Sequence, residues 1–141
     1  MTVPVPRTMR LVVDLALPPS TSAGKTARDA VGEIAELSPE VREDVRLLVT
    51  ELVTNSVRHA SLAPFGRIEV RAFVNEEQLR VEVEDSGPGF VARPRPRSAG
   101  QTSGWGLYLV ERVASRWGAV PSGRSCVWFE LDLQEAEPAP P

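Results

Sequence analysis

The sequence predicts an α+β domain, a two-layer α/β sandwich with a mixed, mostly antiparallel sheet and its helices on one face. Three observations predict it. Strand-like segments at Arg10–Leu17, Arg67–Val74, Gln78–Glu84 and Ser125–Leu133 surround segments of helical spacing, giving the order β-α-α-β-β-loop-α-β. The second and third strands are separated only by Asn75-Glu76-Glu77, a tight hairpin that makes them antiparallel. Residues 85–103 then form one long Gly- and Pro-rich stretch, and long loops in compact domains tend to be functional lids or disordered.

The elements follow from local chemistry. Arg10–Leu17 alternates well enough for a strand, and Pro18-Pro19 ends it. Ser20, Thr21 and Ser22 offer capping oxygens for a helix over 23–37, with Ala27, Val31, Ile34 and Ala35 as its apolar stripe. Ser38-Pro39 starts a second helix, proline being suited to the first helical position. That helix runs to about His59, and Val41, Val45, Leu48, Leu52 and Val53 keep helical spacing along it. A third helix is expected over 105–117, carrying Leu107, Leu109, Val110 and Val113, before the last strand. Residues 1–9 are expected to be loose, 10–133 to form the domain, and 134–141 to be a disordered tail.

Composition narrows the function classes. The chain has 141 residues, one domain's worth, with 42% hydrophobic and 25% charged residues, ordinary globular values. A formal net charge of −3 gives no support for direct nucleic-acid binding. No apolar run approaches the roughly 20 residues that span a bilayer. With no membrane segment, no signal-peptide pattern and a single cysteine, Cys126, a soluble cytoplasmic protein is expected. Cys126 lies in Cys126-Val127-Trp128-Phe129 and reads as a small buried hydrophobe.

Three segments carry chemistry. On a helix, Glu51, Asn55 and His59 fall at i, i+4 and i+8, on one face. A carboxylate there suits a general base, and an amide oxygen suits Mg²⁺, which takes few protein ligands and completes its shell with water and phosphate. The same pattern also describes a polar helix face in water. Asp85-Ser86-Gly87-Pro88-Gly89-Phe90 follows a strand: its acid is placed to accept from an exocyclic amine, and its glycines let backbone approach a planar ring. It also reads as a plain turn. Ser103-Gly104-Trp105-Gly106-Leu107 puts glycines at a helix start, where free N–H groups and the helix dipole favour phosphate. Gly24-Lys25-Thr26 is not a P-loop, because Pro19 stands where that motif needs glycine.

Together and in this order, these segments resemble the GHKL ATPase superfamily of gyrase, heat-shock chaperone, histidine kinase and mismatch-repair ATPases. Glu51-Leu52-Val53-x-Asn55-x-x-x-His59-Ala60 resembles its N box, Asp85-x-Gly87-x-Gly89-Phe90 its G1 box, and Gly104-x-Gly106-Leu107-x-Leu109-Val110 its G2 box. The chain length, Glu51 and the strand Val127-Trp128-Phe129-Glu130-Leu131 resemble the anti-sigma-factor serine/threonine kinase branch, including stand-alone actinobacterial ATP-binding regulators.

The resemblance implies a Bergerat-type ATP-binding fold with ATP and Mg²⁺ as cofactors. Glu51 would activate the attacking hydroxyl and Asn55 would hold Mg²⁺. Asp85 would bind the adenine amine, with Gly87, Gly89 and Phe90 shaping its pocket. Ser103, Gly104, Trp105, Gly106 and Leu107 would lie at the phosphates, and residues 91–103 would be the ATP lid. Implied partners are a sigma factor, its antagonist protein and a second copy of the chain. The alternative is a non-catalytic, ATP-dependent interaction module. A sensor histidine kinase is not expected, because the only histidine, His59, sits inside the N box and reads as a packing residue. Arg93-Pro94-Arg95-Pro96-Arg97 in the lid reads either as a contact to phosphates or an acidic partner, or as a solvated linker.

Overall fold

The computed structural model describes residues 8–60, 66–85, 105–122 and 124–133. Its elements are β1 (Arg10–Leu17), α1 (Ala23–Gly32), α2 (Pro39–Ala60), β2 (Ile68–Val74), β3 (Gln78–Asp85), α3 (Trp105–Val113), β4 (Arg116–Ser122) and β5 (Arg124–Asp132). The strands form one five-stranded sheet in the order β1-β2-β3-β5-β4, and all four pairings are antiparallel.

Alternation decides which side of the sheet is covered. Ile68, Val70, Ala72 and Val74 of β2, Leu79, Val81 and Val83 of β3, and Val127, Phe129 and Leu131 of β5 are buried on the helix-facing side. They join Ala23, Ala27 and Val31 of α1, Val45, Leu48, Val49, Leu52 and Val53 of α2, and Val110 of α3 in one core. Each such side chain contributes about 1.5–3 kcal/mol by leaving water. The two-layer arrangement expected from the sequence is therefore the one observed.

The β2–β3 hairpin is closed by Asn75. Its side-chain oxygen accepts the backbone N–H of Glu77 at 2.8 Å and of Gln78 at 2.7 Å. Helix α2 starts with Pro39 in its first position, and the Ser38 hydroxyl accepts the Val41 N–H at 3.2 Å. Ser22 stands at the N-cap of α1 but makes no side-chain cap bond; its hydroxyl is 3.0 Å from that of Ser20. The Gly24-Lys25-Thr26 segment is the first turn of α1, as its dismissal as a P-loop requires.

Two expected boundaries are corrected. Helix α1 ends at Gly32, not near Leu37. A Cβ on Gly32 would stand 2.6 Å from Arg46 Nε, at the far end of a flexible side chain that would have to swing aside. The Arg42 guanidinium then takes up the freed carbonyls, donating to the oxygens of Gly32, Ile34 and Leu37. Likewise α3 ends at Val113, and residues expected in its last turn open β4 instead. β4 pairs with β5 from Arg116↔Glu130 to Ser122↔Arg124 and forms the sheet edge, where Pro121 is tolerated.

Candidate functional site

The candidate site is assembled from α2 and the end of β3. Glu51 and Asn55 are both half-buried, one helical turn apart on α2. The turn they share is held between two side-chain bonds. Thr50 Oγ1 donates to the Arg46 carbonyl and Thr54 Oγ1 to the Thr50 carbonyl, each at 2.7 Å. Beside Asn55, Leu52, Val53 and Ser56 are buried and fix the helix on the sheet. Across from Thr50 and Thr54 lies Gly24, where an added Cβ would sit 3.5 Å from Thr54 Oγ1, so α1 backs this turn closely.

Asp85 is the last residue of β3, pairing with Ile68 of β2 and Ser125 of β5. It is 2% exposed and shares the helix-facing parity of Leu79, Val81 and Val83. It is thus an acid buried at a strand end, on the side against which α2 packs.

Trp105 and Gly106 open α3, and Leu107 follows, half-buried against the core. Gly87, Gly89, Phe90, Ser103 and Gly104 lie outside the described residues, as does the expected lid 91–103. Among the described residues no three His, Cys, Asp or Glu side chains converge on a metal-sized site.

The same exposed stripe of α2 carries Glu40, Asp44 and Leu47, none of them in the sequence-derived set. Their signal is the spacing 40, 44, 47, 51, which repeats the helical period up to Glu51. Cys126 is half-buried, and burial, followed by the nearby Glu82 and Glu84 carboxylates, pushes its thiol up to about 11. It stays protonated and inert at neutral pH.

A sandwich with a polar N-box pair on its long central helix and a buried acid at a strand end defines an ATP-binding domain of the histidine kinase type. Residues 17–130 match the histidine kinase-like ATPase domain family, and the chain belongs to it. The chain is 32% identical over 110 residues to the serine-protein kinase RsbW of Listeria monocytogenes (serotype 4a, strain HCC23), covering 70% of each chain. It is 39% identical over 58 residues to the anti-sigma F factor of Caldanaerobacter subterraneus subsp. tengcongensis, covering 40% of this chain and 41% of that one. Among solved structures, the histidine kinase domain of the Erythrobacter litoralis EL346 blue-light activated histidine kinase superposes with a TM-score of 0.55 at 26% identity. That match covers 77% of this chain and 57% of the other.

Proposed function

We propose that this chain is a cytoplasmic, Mg²⁺-dependent protein serine kinase that phosphorylates a serine of an antagonist protein and binds a sigma factor. One observation carries the reading. Glu51 and Asn55 sit one turn apart on α2, half-buried, in a chain 32% identical over 110 residues to a serine-protein kinase. A non-catalytic module needs the amide and the adenine contact but has no use for a carboxylate beside them.

The chemistry asks little covalent work of the protein. Asp85 accepts the adenine amine and fixes the base. Asn55 would hold Mg²⁺ through its amide oxygen, and the bound ion would supply charge neutralisation at the phosphates. Glu51 takes the proton of the serine hydroxyl as its oxygen attacks the γ-phosphorus; the bond to the ADP oxygen breaks and ADP leaves. The N–H groups at the N-terminus of α3 would be the donors to the phosphates.

The test is incubation with labelled ATP, Mg²⁺ and the antagonist protein. Phosphoserine on that protein is expected from the wild type and not from Glu51→Ala, which retains ATP binding. Full regulatory activity in cells expressing only Glu51→Ala would show the chain to be an ATP-dependent interaction module instead.

A further inference from the structure

We propose that the stripe of α2 running from half-buried Glu51 back through exposed Leu47 and half-buried Asp44 to exposed Glu40 is the docking surface for the protein substrate. The segment it takes carries an apolar residue close to the acceptor serine and Lys or Arg further along. This rests on the kinase reading and adds to it the chemistry of the substrate.

Geometry fixes the stripe. At 3.6 residues per turn, Leu47, Asp44 and Glu40 all fall within about 40° of Glu51 around the helix axis. At 1.5 Å per residue they lie about 6, 10 and 16 Å from it. An acceptor hydroxyl must reach the Glu51 carboxylate to lose its proton, and on the proposed path the polypeptide bearing it runs from there along this face toward the N-terminus of α2. An extended segment advances about 3.3 Å per residue. Its positions about two residues from the serine therefore lie over Leu47, and those about three to five residues away lie over Asp44 and Glu40.

The side chains specify what passes. Leu47 is 42% exposed, one of two large hydrophobic residues so exposed among the described residues. An apolar surface one turn from the reacting group favours an apolar neighbour of the serine. Glu40 and Asp44 are ion-paired to nothing among the described residues, whereas Glu43 on the adjacent face is paired with Arg46 at 3.0 Å. The Asp44 carboxyl is raised above its ordinary value by burial and then by the charge of Glu40, so the two acids strain against each other. A cationic side chain relieves both at once, and a second copy of this chain, with a net charge of −3, does not supply the same complement by bulk charge.

A positional library of serine peptides with labelled ATP and Mg²⁺ tests this, using the full chain and two variants, Leu47→Asp and Glu40→Lys/Asp44→Lys. The wild type is expected to select Leu, Ile, Met or Phe about two residues from the serine and Lys or Arg three to five residues away. Leu47→Asp loses the first preference. The double variant lowers kcat/KM for the basic peptides at least 10-fold and turns the second preference to Asp and Glu, with the KM for ATP unchanged. Phosphorylation by the wild type with a profile that neither variant alters would overturn the docking surface and leave the kinase reading standing. A second arm measures anisotropy of fluorescein-labelled basic and acidic peptides with a non-hydrolysable ATP analogue. Preferential binding of the basic peptide, lost in the double variant but without phosphate transfer by the wild type, would uphold the surface and sink the kinase reading. Equal binding of both peptides would overturn the surface.

Discussion

Arg80 and Glu130, fifty positions apart in sequence, meet at 3.0 Å on the sheet side opposite the core. Arg80 is 2% exposed and Glu130 6%. Their contact is the middle of a chain of alternating charge. Glu84 and Arg71 are 3.9 Å apart, Arg71 and Glu82 3.3 Å, Glu82 and Arg80 3.1 Å, and Glu130 and Arg116 2.7 Å; Arg116 goes on to Asp132. The Trp128 ring lies 4.2 Å from the Arg80 guanidinium, on the strand between β3 and β4. This ladder ties four strands together on a face without a hydrophobic layer. Removing its central cation leaves Glu82 with Arg71 alone and Glu130 with Arg116 alone, both acids still buried. Arg80→Met is therefore expected to cost about 1.5–3 kcal/mol in urea unfolding, the loss of charged hydrogen bonds in a buried setting. Adding Glu82→Gln and Glu130→Gln should recover much of the loss, because the buried acids no longer need the missing cation while Arg71 keeps Glu69 and Glu84 and Arg116 keeps Asp132. A loss below about 1 kcal/mol for Arg80→Met would mean that water reaches the pair.

Arg42 serves three carbonyls where α1 stops. Hydrogen bonds from a charged donor are stronger than neutral ones, and the abandoned carbonyls are half-buried. Arg42→Ala should destabilise the domain by about 2–4 kcal/mol in the same measurement. Arg42→Lys should recover less than half, since a compact ammonium cannot spread its donors over the oxygens of Gly32, Ile34 and Leu37 together. Equal stability of the alanine variant and the wild type would assign the α1–α2 turn to Gly32 and Ser38 alone.

These two clusters also mark where sequence patterning stopped being sufficient. Strands β1, β2, β3 and β5 and helix α2 are legible because one face of each is apolar at its own period. The end of α1 is not, because Ile34 and Leu37 continue the apolar series and are buried from a turn instead. What takes up the carbonyls where the helix stops is the Arg42 side chain, ten residues beyond Gly32 and not visible locally. Strand β4 was hidden for a related reason. Trp117 extends the apolar series of α3, yet it lies on β4 and packs on the core from there. Gly118 and Pro121 were the available signals against a helix. Gly118 is needed where it stands, since a Cβ there would lie 2.7 Å from the Trp128 ring nitrogen. The ladder was foreshadowed by opposite charges at alternate positions, Arg80, Glu82 and Glu84 beside Glu69 and Arg71, but its closure by Glu130 and Arg116 depends on the strand order.

Asp85 is singled out in the sequence by its place after a strand, and its burial makes it the clearest position at which to test nucleotide recognition. A buried carboxylate accepting from the adenine amine contributes the extra strength of a charged acceptor, about 1.5–3 kcal/mol. Asp85→Asn is expected to weaken ATP binding on the order of 10- to 100-fold in calorimetry. It should also narrow the preference for ATP over GTP, because an amide can turn either a donor or an acceptor toward the base. Unchanged affinity with unchanged preference would remove Asp85 from the site.

Asp44 gives a stability effect whose sign runs opposite to that of an ordinary salt-bridged acid. Burial is the larger cause of its raised value and Glu40 the smaller. With the folded-state value above the ordinary 3.8, the native state holds the proton more tightly than the unfolded chain. Stability therefore falls as pH rises through the interval between the two values. The penalty is absent below the ordinary value and complete above the folded one. Asp44→Asn keeps the shape of the protonated acid and has no charge to bury. Its thermal midpoint should exceed that of the wild type at about pH 7, and the difference should vanish near pH 3, where both side chains are neutral. Glu40→Gln should raise the midpoint at neutral pH by less, because it removes only the weaker cause. A midpoint for Asp44→Asn below that of the wild type at neutral pH would mean that the carboxylate is held by a stabilising contact, and the stripe along α2 would then be already satisfied within the chain.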